Sequence, residues 1–260
     1  MFGDQQPSSC HRSRCEIGNA SVQRTIWHLQ HCDIFSELSI ESLERIEPRC
    51  RARKFAARTP IYLPSEVADS VLLLTSGMAK ICNLTNEGKQ SILAFVEPGE
   101  LFGELAVFER ETREEYVETI EASTLVMIPI TAMQELVEKN HRVALSLTKM
   151  IGLRRHRIER RLKNLLFLSN HDRLVHLLLD LAEQFGIHCS DGIRLRIKLA
   201  HQELANLMGS TRETVTILLG HLKDEGLIEV GRKRIVLLDA TRMASQVHRK
   251  STWDHLDGPN

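Results

Sequence analysis

The chain of 260 residues has no run of 18 apolar residues, no net charge, and no histidine between His31 and His141. The first absence argues against a helix that spans a membrane. Met1 to Ala20 is polar, without the apolar core of a secretory leader, so a cytoplasmic protein is expected. The second absence, 34 basic against 34 acidic residues, means that overall charge announces no nucleic-acid partner and any such attraction must come from local patches. The third removes the inward histidines that a metal-dependent enzyme built on a small β-barrel would need. No Ser-His-Asp, paired-carboxylate or metal constellation stands out, so a non-enzymatic role is expected.

What is present is sorted along the chain. Hydrophobic residues make up 42%, enough for the cores of two domains. Glu97 to Glu121 holds nine glutamates and two arginines, whereas Lys149 to Lys163 holds seven lysines and arginines and one glutamate. Residues 1–25, rich in Ser, Gln, Arg and His, read as a mobile arm. Helical spacing from Ile26 to Ile46, with Ser39 placed as a cap, precedes short β-type runs: IYL, SVLLLTS, AKICNL, QSILAFV, YVETIEA and TLVMIP. Turn signals separate them, so residues 26–130 are expected to form a sandwich or roll. Thr131 is placed to cap one long helix, 131–168. Along it Leu147, Ile151, Arg154, Ile158, Arg161 and Leu165 alternate in steps of three and four, the spacing of a paired-helix seam. Two arginines on a seam are unusual, because a twofold axis brings like charges together unless they lean outward or find a carboxylate such as Glu159.

The most informative stretch is Ile197 to Leu237. Leu199, Leu204 and Leu207 have near-helical spacing, and Gly209 stands where the chain must turn sharply. A second helix begins at Ser210 or Thr211, with Ser210 and Glu213 as a capping box. Val215, Leu218, Leu219 and Leu222 share one stripe, leaving Glu213, Thr216, Ile217 and Gly220 facing away, with Arg212 beside them. A hairpin follows around Gly231, with Arg232, Lys233 and Arg234 at its tip, suited to phosphate contact. Gln202, Ser210, Thr211, Arg212, Glu213, Thr214, Thr216 and Ile217, with those three tip residues, are the candidate DNA contacts. Arginine can bond a guanine edge in two places, and glutamate can accept from a cytosine amino group. Residues 169–242 are expected to form this DNA-binding domain, and 243–260 a mobile tail.

HQELANLMGSTRETVTILLGHLKDEGLI resembles the helix-turn-helix of the bacterial Crp/Fnr regulators, and GELFGELAVF, Gly99 to Phe108, resembles that family's cyclic-nucleotide-binding cassette. The resemblance covers roughly Ile34 to Arg242. It implies an α+β chain with an amino-terminal β-roll, a long dimerisation helix and a carboxy-terminal winged helix-turn-helix. It further implies a homodimer that binds a palindromic site in double-stranded DNA under control of an effector, with RNA polymerase as a partner. Gly103, Glu104, Leu105, Arg113 and Glu114 then fall at the effector site, Arg113 matching the arginine that pairs with the cyclic phosphate.

The sequence departs from the family pattern in two places. Glu114 and Glu115 stand where a hydroxyl donor usually follows the arginine, and a carboxylate at ~4 Å from an anion costs on the order of 4 kcal/mol at an effective dielectric near 20. The adenine-contacting pair on the long helix falls at Ile158 and Glu159. Both departures speak against cyclic AMP, and the cofactor is left open. Amino-terminal cysteines in some members hold an iron–sulfur cluster; Cys10, Cys15 and Cys32 are the weak candidates for such a cluster or metal here, with Cys50 or Cys82 as a further ligand, against the alternative of independent reduced thiols. The competing function is a small-molecule, redox or metal-sensing module without specific DNA readout.

Overall fold

The computed structural model describes residues 26–249 except 86, 89, 109–111, 232 and 233. The expected amino-terminal arm, with Cys10 and Cys15, lies outside the described residues, as does Trp253. The chain divides into two compact units, residues 1–83 with 94–153 and residues 84–93 with 154–260.

The first unit begins with α1, helical residues 26–30, and α2, Ile40–Ile46, whose cap Ser39 accepts from the Ser42 N–H. Eight antiparallel strands follow: β1 Arg51–Phe55, β2 Pro60–Tyr62, β3 Ser70–Ser76, β4 Ala79–Leu84, β5 Gln90–Val96, β6 Leu101–Phe102, β7 Tyr116–Thr119 and β8 Ser123–Pro129. They form two four-stranded sheets, ordered β1-β8-β3-β6 and β2-β7-β4-β5. The far end of the β4–β5 hairpin, residues 84–93, clusters with the second unit. The run Ser70 to Leu74 is buried throughout, as a central strand covered on both faces must be. Leu29, Phe35 and Leu43 pack with Val71, Leu73 and Ile128 into one core, which Met133, Leu136, Val143 and Leu147 complete.

Strand β1 has no counterpart among the expected runs. Arg51, Arg53 and Lys54 are exposed on it, and basic side chains on an edge strand discourage pairing with another chain. The expected single helix after Pro129 is two: α3, Ile130–Lys139, and α4, His141–Phe167. Asn140 between them is extended, and its side chain and backbone N–H both donate to the Leu136 carbonyl. Thr131 is not a cap, since α3 begins after Pro129; its hydroxyl accepts from Arg49 at 2.7 Å. Cys32 and Cys50 are placed in or against the core, and burial pushes their thiols up to about 11 and about 12. Both are neutral thiols packed as small apolar groups.

In the second unit α5, Asn170–Phe185, is capped by Ser169 and ends at Gly186. Its inward face carries Leu174, Leu178, Leu181 and Phe185. Strands β9 Gly186–Cys189 and β10 Gly192–Leu195, helices α6 His201–Met208 and α7 Arg212–Asp224, and strands β11 Ile228–Gly231 and β12 Arg234–Leu237 follow, with one sheet ordered β11-β12-β10-β9. Strand β10 is the second arm of a hairpin, since exposed β9 lies against it. The described part of the expected tail, residues 243–249, is structured. Helix α8, Ala240–Gln246, is capped by Asp239 and buries Met243 and Ala244. Arg249 then pairs with Asp180 at 2.8 Å and Glu183 at 2.7 Å and so ties the segment to α5.

That tether bears on His176, a half-buried residue of α5 whose backbone carbonyl accepts from Arg249. Burial lowers the His176 pKa most, and Arg249 and Arg160 lower it further against the opposing pull of Asp180 and Asp172. A depressed histidine pKa means that the unfolded chain binds the extra proton first, so stability is full above the unfolded value, about 6.5, and falls as pH drops through it. Denaturant unfolding near about pH 5 and about pH 7.5 should give a smaller acid loss for His176→Gln than for the parent. An equal loss in both would remove His176 from the account.

Candidate nucleic-acid interface and effector cassette

Helix α6 opens without a side-chain cap because Ala200 has no acceptor; Glu203 compensates by accepting from the Ala200 N–H at 2.7 Å. The turn after it depends on Gly209, which adopts the left-handed conformation at φ 64° and leaves its amide bonded to the Ala205 carbonyl. Helix α7 is capped by Thr211, whose hydroxyl accepts from the Thr214 N–H at 3.2 Å. The cap is therefore one residue later than the expected Ser210, and Ser210 with Glu213 does not form the box. Glu213 is fully exposed, and bonds to its own backbone N–H and to the Thr211 hydroxyl hold its carboxyl below the usual range. A carboxylate there also meets the positive end of the helix dipole.

The two faces of α7 are sharply different. Val215, Leu219 and Leu222 are buried, and Leu218 is half-buried. Arg212, Glu213, Thr216 and Ile217 are exposed, Ile217 to 59%. One turn past Ile217, a Cβ added at Gly220 would meet nothing within 4 Å, so the outward face is flat enough for close approach. Thr216 is more constrained than its position in the sequence suggests. Its hydroxyl donates to the Arg212 carbonyl at 2.9 Å and contacts His201 Nδ1 at 2.8 Å, so the imidazole N–H donates and the hydroxyl accepts. His201 is a residue that sequence reasoning missed; its position at the start of α6, facing α7 fifteen residues on, leaves no local signature. Gln202 is exposed and donates to Asn206 at 2.9 Å. Arg234 is exposed on β12, while Arg232 and Lys233 lie outside the described residues.

In the first unit Gly103 turns left-handed, at φ 69°, ahead of a short 3-10 helix, Glu104–Val107. Glu104 is buried, Leu105 and Glu114 are exposed, and Arg113 is buried. Arg113 does not project into an open cleft. One guanidinium nitrogen donates to the Gly103 carbonyl at 3.1 Å, the other donates to the Ser70 carbonyl, and the plane lies 4.5 Å from the Tyr62 ring centre. The Arg113 backbone is held as well, its N–H donating to Glu66 and its carbonyl accepting from Ser65, both at 2.8 Å. The Tyr62 hydroxyl donates to Glu115 at 3.3 Å, and burial with that carboxylate pushes the phenol's pKa up. The space left beside these groups is about 90 Å³.

The expected seam on α4 divides into a buried start and an exposed end. Leu147 is fully buried in the first unit's core and Ile151 packs against it. Arg154 is half-buried, Ile158 and Leu165 are exposed, to 36% and 44%, and Arg161 donates to the Ile92 carbonyl at 2.9 Å. Leu145, Leu162 and Leu166 are exposed beside that stripe, and Gly152 has open space around it. Glu159, also on that side, pairs with Arg155 at 2.9 Å.

An antiparallel roll, a long helix and a winged helix-turn-helix in this order define a DNA-binding regulator. The Cyclic nucleotide-binding domain family matches residues 52–140, and the Crp-like helix-turn-helix domain family matches residues 172–245. The global nitrogen regulator of Synechococcus elongatus is 29% identical over 195 residues, 74% of this chain and 88% of its own length. The cAMP-activated global transcriptional regulator CRP of Haemophilus influenzae is 28% identical over 193 residues, 74% of this chain and 85% of its own. Among solved structures, the c-di-GMP responsive global regulator CLP of Xanthomonas campestris superposes with a TM-score of 0.67 at 26% identity, covering 76% of this chain and 99% of that one. A CRP-family transcriptional regulator of Thermus thermophilus gives 0.64 at 28%, covering 75% and 96%. The chain thus carries a cyclic nucleotide-binding domain followed by a Crp-like helix-turn-helix domain, and its relatives are Crp/Fnr-type transcription regulators. Its relatives are transcription regulators rather than enzymes, and among the described residues no helix is long and apolar enough to cross a membrane.

Proposed function

We propose that this chain works in the cytoplasm as a homodimer that reads a palindromic DNA site through α7, recruits or blocks RNA polymerase there, and acts by binding rather than catalysis. The observation that carries the reading is the outward face of α7, where Arg212, Glu213 and Ile217 are exposed opposite a buried stripe. Arg212 can donate twice to a guanine edge, and the apolar Ile217 suits a thymine methyl group. Dimerisation supplies the second half-site, and the exposed leucines of α4 are the surface available for it. Selection of bound sequences from a random DNA pool tests the reading; a protein that enriches no sequence contradicts it.

Cyclic AMP is not the effector in this reading. Arg113, the one cation among the described residues positioned for the cyclic phosphate, is engaged by two backbone carbonyls and by Tyr62. Freeing it would leave those carbonyls unsatisfied in a buried place, a cost of about 1–3 kcal/mol each. Glu114 and Glu115 beside the space add repulsion toward an anion. Isothermal calorimetry with the full chain is expected to give no heat of cyclic AMP binding at micromolar concentration, and a saturable micromolar isotherm would reverse this assignment.

A further inference from the structure

His201 opens α6, and its half-buried imidazole reaches across to α7. Its Nδ1 lies 2.8 Å from the Thr216 hydroxyl, which itself donates to the Arg212 carbonyl at 2.9 Å. A hydroxyl carries one proton, so Thr216 can only accept from the ring, and Nδ1 must hold the hydrogen. In the neutral imidazole Nε2 is then a bare acceptor, and only the protonated ring offers a second N–H there. Among the described residues Nε2 has no hydrogen-bond partner and no carboxylate pairs with the ring. The charged groups around it are otherwise placed. Lys198, ahead of α6, is exposed, and Glu203 accepts from the Ala200 N–H at 2.7 Å. On α7, Arg212 is exposed and Glu213 bonds to its own helix start. On α5, Arg173 donates to the Met208 carbonyl, at the opposite end of α6.

The first helix of a helix-turn-helix crosses the DNA backbone while the second enters the groove. Thr216 is exposed on the same side of α7 as Ile217, so the ring bonded to it lies at the edge of the reading face. A phosphate offers acceptors and no donor. The neutral ring would turn a lone pair towards it, whereas the imidazolium gives a charge-assisted hydrogen bond. We propose that His201 is a proton-dependent phosphate contact: the imidazolium donates to the DNA backbone through Nε2 while Nδ1–H fixes the Thr216 hydroxyl. Binding then takes up one proton from solvent, and by linkage the proton favours the DNA as much as the DNA favours the proton. Affinity therefore rises as the pH falls. This rests on the reading in which α7 enters the major groove. It also removes Thr216 as a donor to bases, since its one proton is given to the Arg212 carbonyl.

The test measures the affinity of the full chain for a DNA site it selects and for an unrelated duplex, between about pH 6 and about pH 8, where histidine changes charge. For the parent, affinity is expected to fall with rising pH, by at most about tenfold per pH unit for a single proton. Its salt dependence should be steeper at about pH 6 than at about pH 8, by about one charge. His201→Gln keeps a donor for Thr216 but takes up no proton, so it should bind more weakly than the parent at about pH 6 and equally at about pH 8. Because the other histidines titrate in both proteins, the difference between them isolates this one. His201→Arg, a permanent cation, should hold its affinity across the range. Thr216→Val frees Nδ1, so the neutral ring can carry its hydrogen on Nε2, and the pH dependence should shrink. Equal pH profiles for the parent and His201→Gln, or a loss on raising the pH that persists undiminished in His201→Arg, would overturn the proposal. A parent that selects no sequence, but whose binding to the unrelated duplex keeps the His201-dependent profile, would uphold the contact and count only against the groove reading. Sequence selection with no such profile would do the reverse.

Discussion

Replacing Arg212 by alanine is expected to erase preference at one base pair of each half-site while leaving the fold intact. The side chain is exposed at the first turn of α7 and supports no packing. A bidentate arginine contact is worth about 1–3 kcal/mol of discrimination, so the preferred site should bind about ten- to a hundredfold more weakly and the best alternatives nearly unchanged. Arg234→Ala provides the contrast: an exposed wing cation that meets phosphate should weaken all sequences alike and lower the salt dependence by about one charge. Quantitative binding to the selected site and to its single-base variants separates the two. Uniform weakening by Arg212→Ala would place that residue on the backbone. Glu213 offers an internal control, since its bonds are local to the helix start; if capping is its whole role, Glu213→Ala lowers thermal stability and leaves base preference alone.

The second large effect concerns assembly. Leu166→Asp puts a carboxylate on the exposed side of α4, where a twofold axis would bring it against an apolar partner. The variant is expected to sediment as a monomer with a normal unfolding temperature and to lose most of its DNA affinity, because one half-site no longer helps the other. Ile151→Asp should behave differently. Ile151 packs on the first unit's core, so the buried charge should destabilise that unit by several kcal/mol. A Leu166→Asp protein that remains dimeric would move the interface off this face.

That contrast also marks where the sequence ceased to be informative. The three-four spacing through Leu147, Ile151 and Ile158 specified an apolar stripe on α4, but periodicity does not say which part of it the same chain covers and which is left for another. The break at Asn140 carried no proline or glycine to announce it. Strand β1 was invisible because RARKF, at a sheet edge, shows charge rather than apolar alternation, and α8 because a seven-residue helix is too short for a period to emerge. The helix-turn-helix was legible for the opposite reason. Its core stripe, its glycine turn and its hydroxyl at the helix start are all local signals, and only the cap shifted, from Ser210 to Thr211. In the cassette the residue types were legible and the contacts were not. Arg113 is recognisable in the sequence, but its engagement by Gly103, Ser70 and Tyr62 arises from strands far apart in the chain.

The measurement closest to the central claim is selection from random DNA by the parent and by Ile217→Arg, run side by side. Ile217 is 59% exposed on the face that turns away from the core, so the substitution should not disturb folding. The parent is expected to enrich a palindrome whose half-sites carry a thymine-containing pair at the position this residue meets. The arginine variant should shift that one pair towards guanine and keep the pairs read by Arg212 and Glu213. The same half-site from both proteins, or no palindrome from either, would contradict the placement of α7 in the major groove.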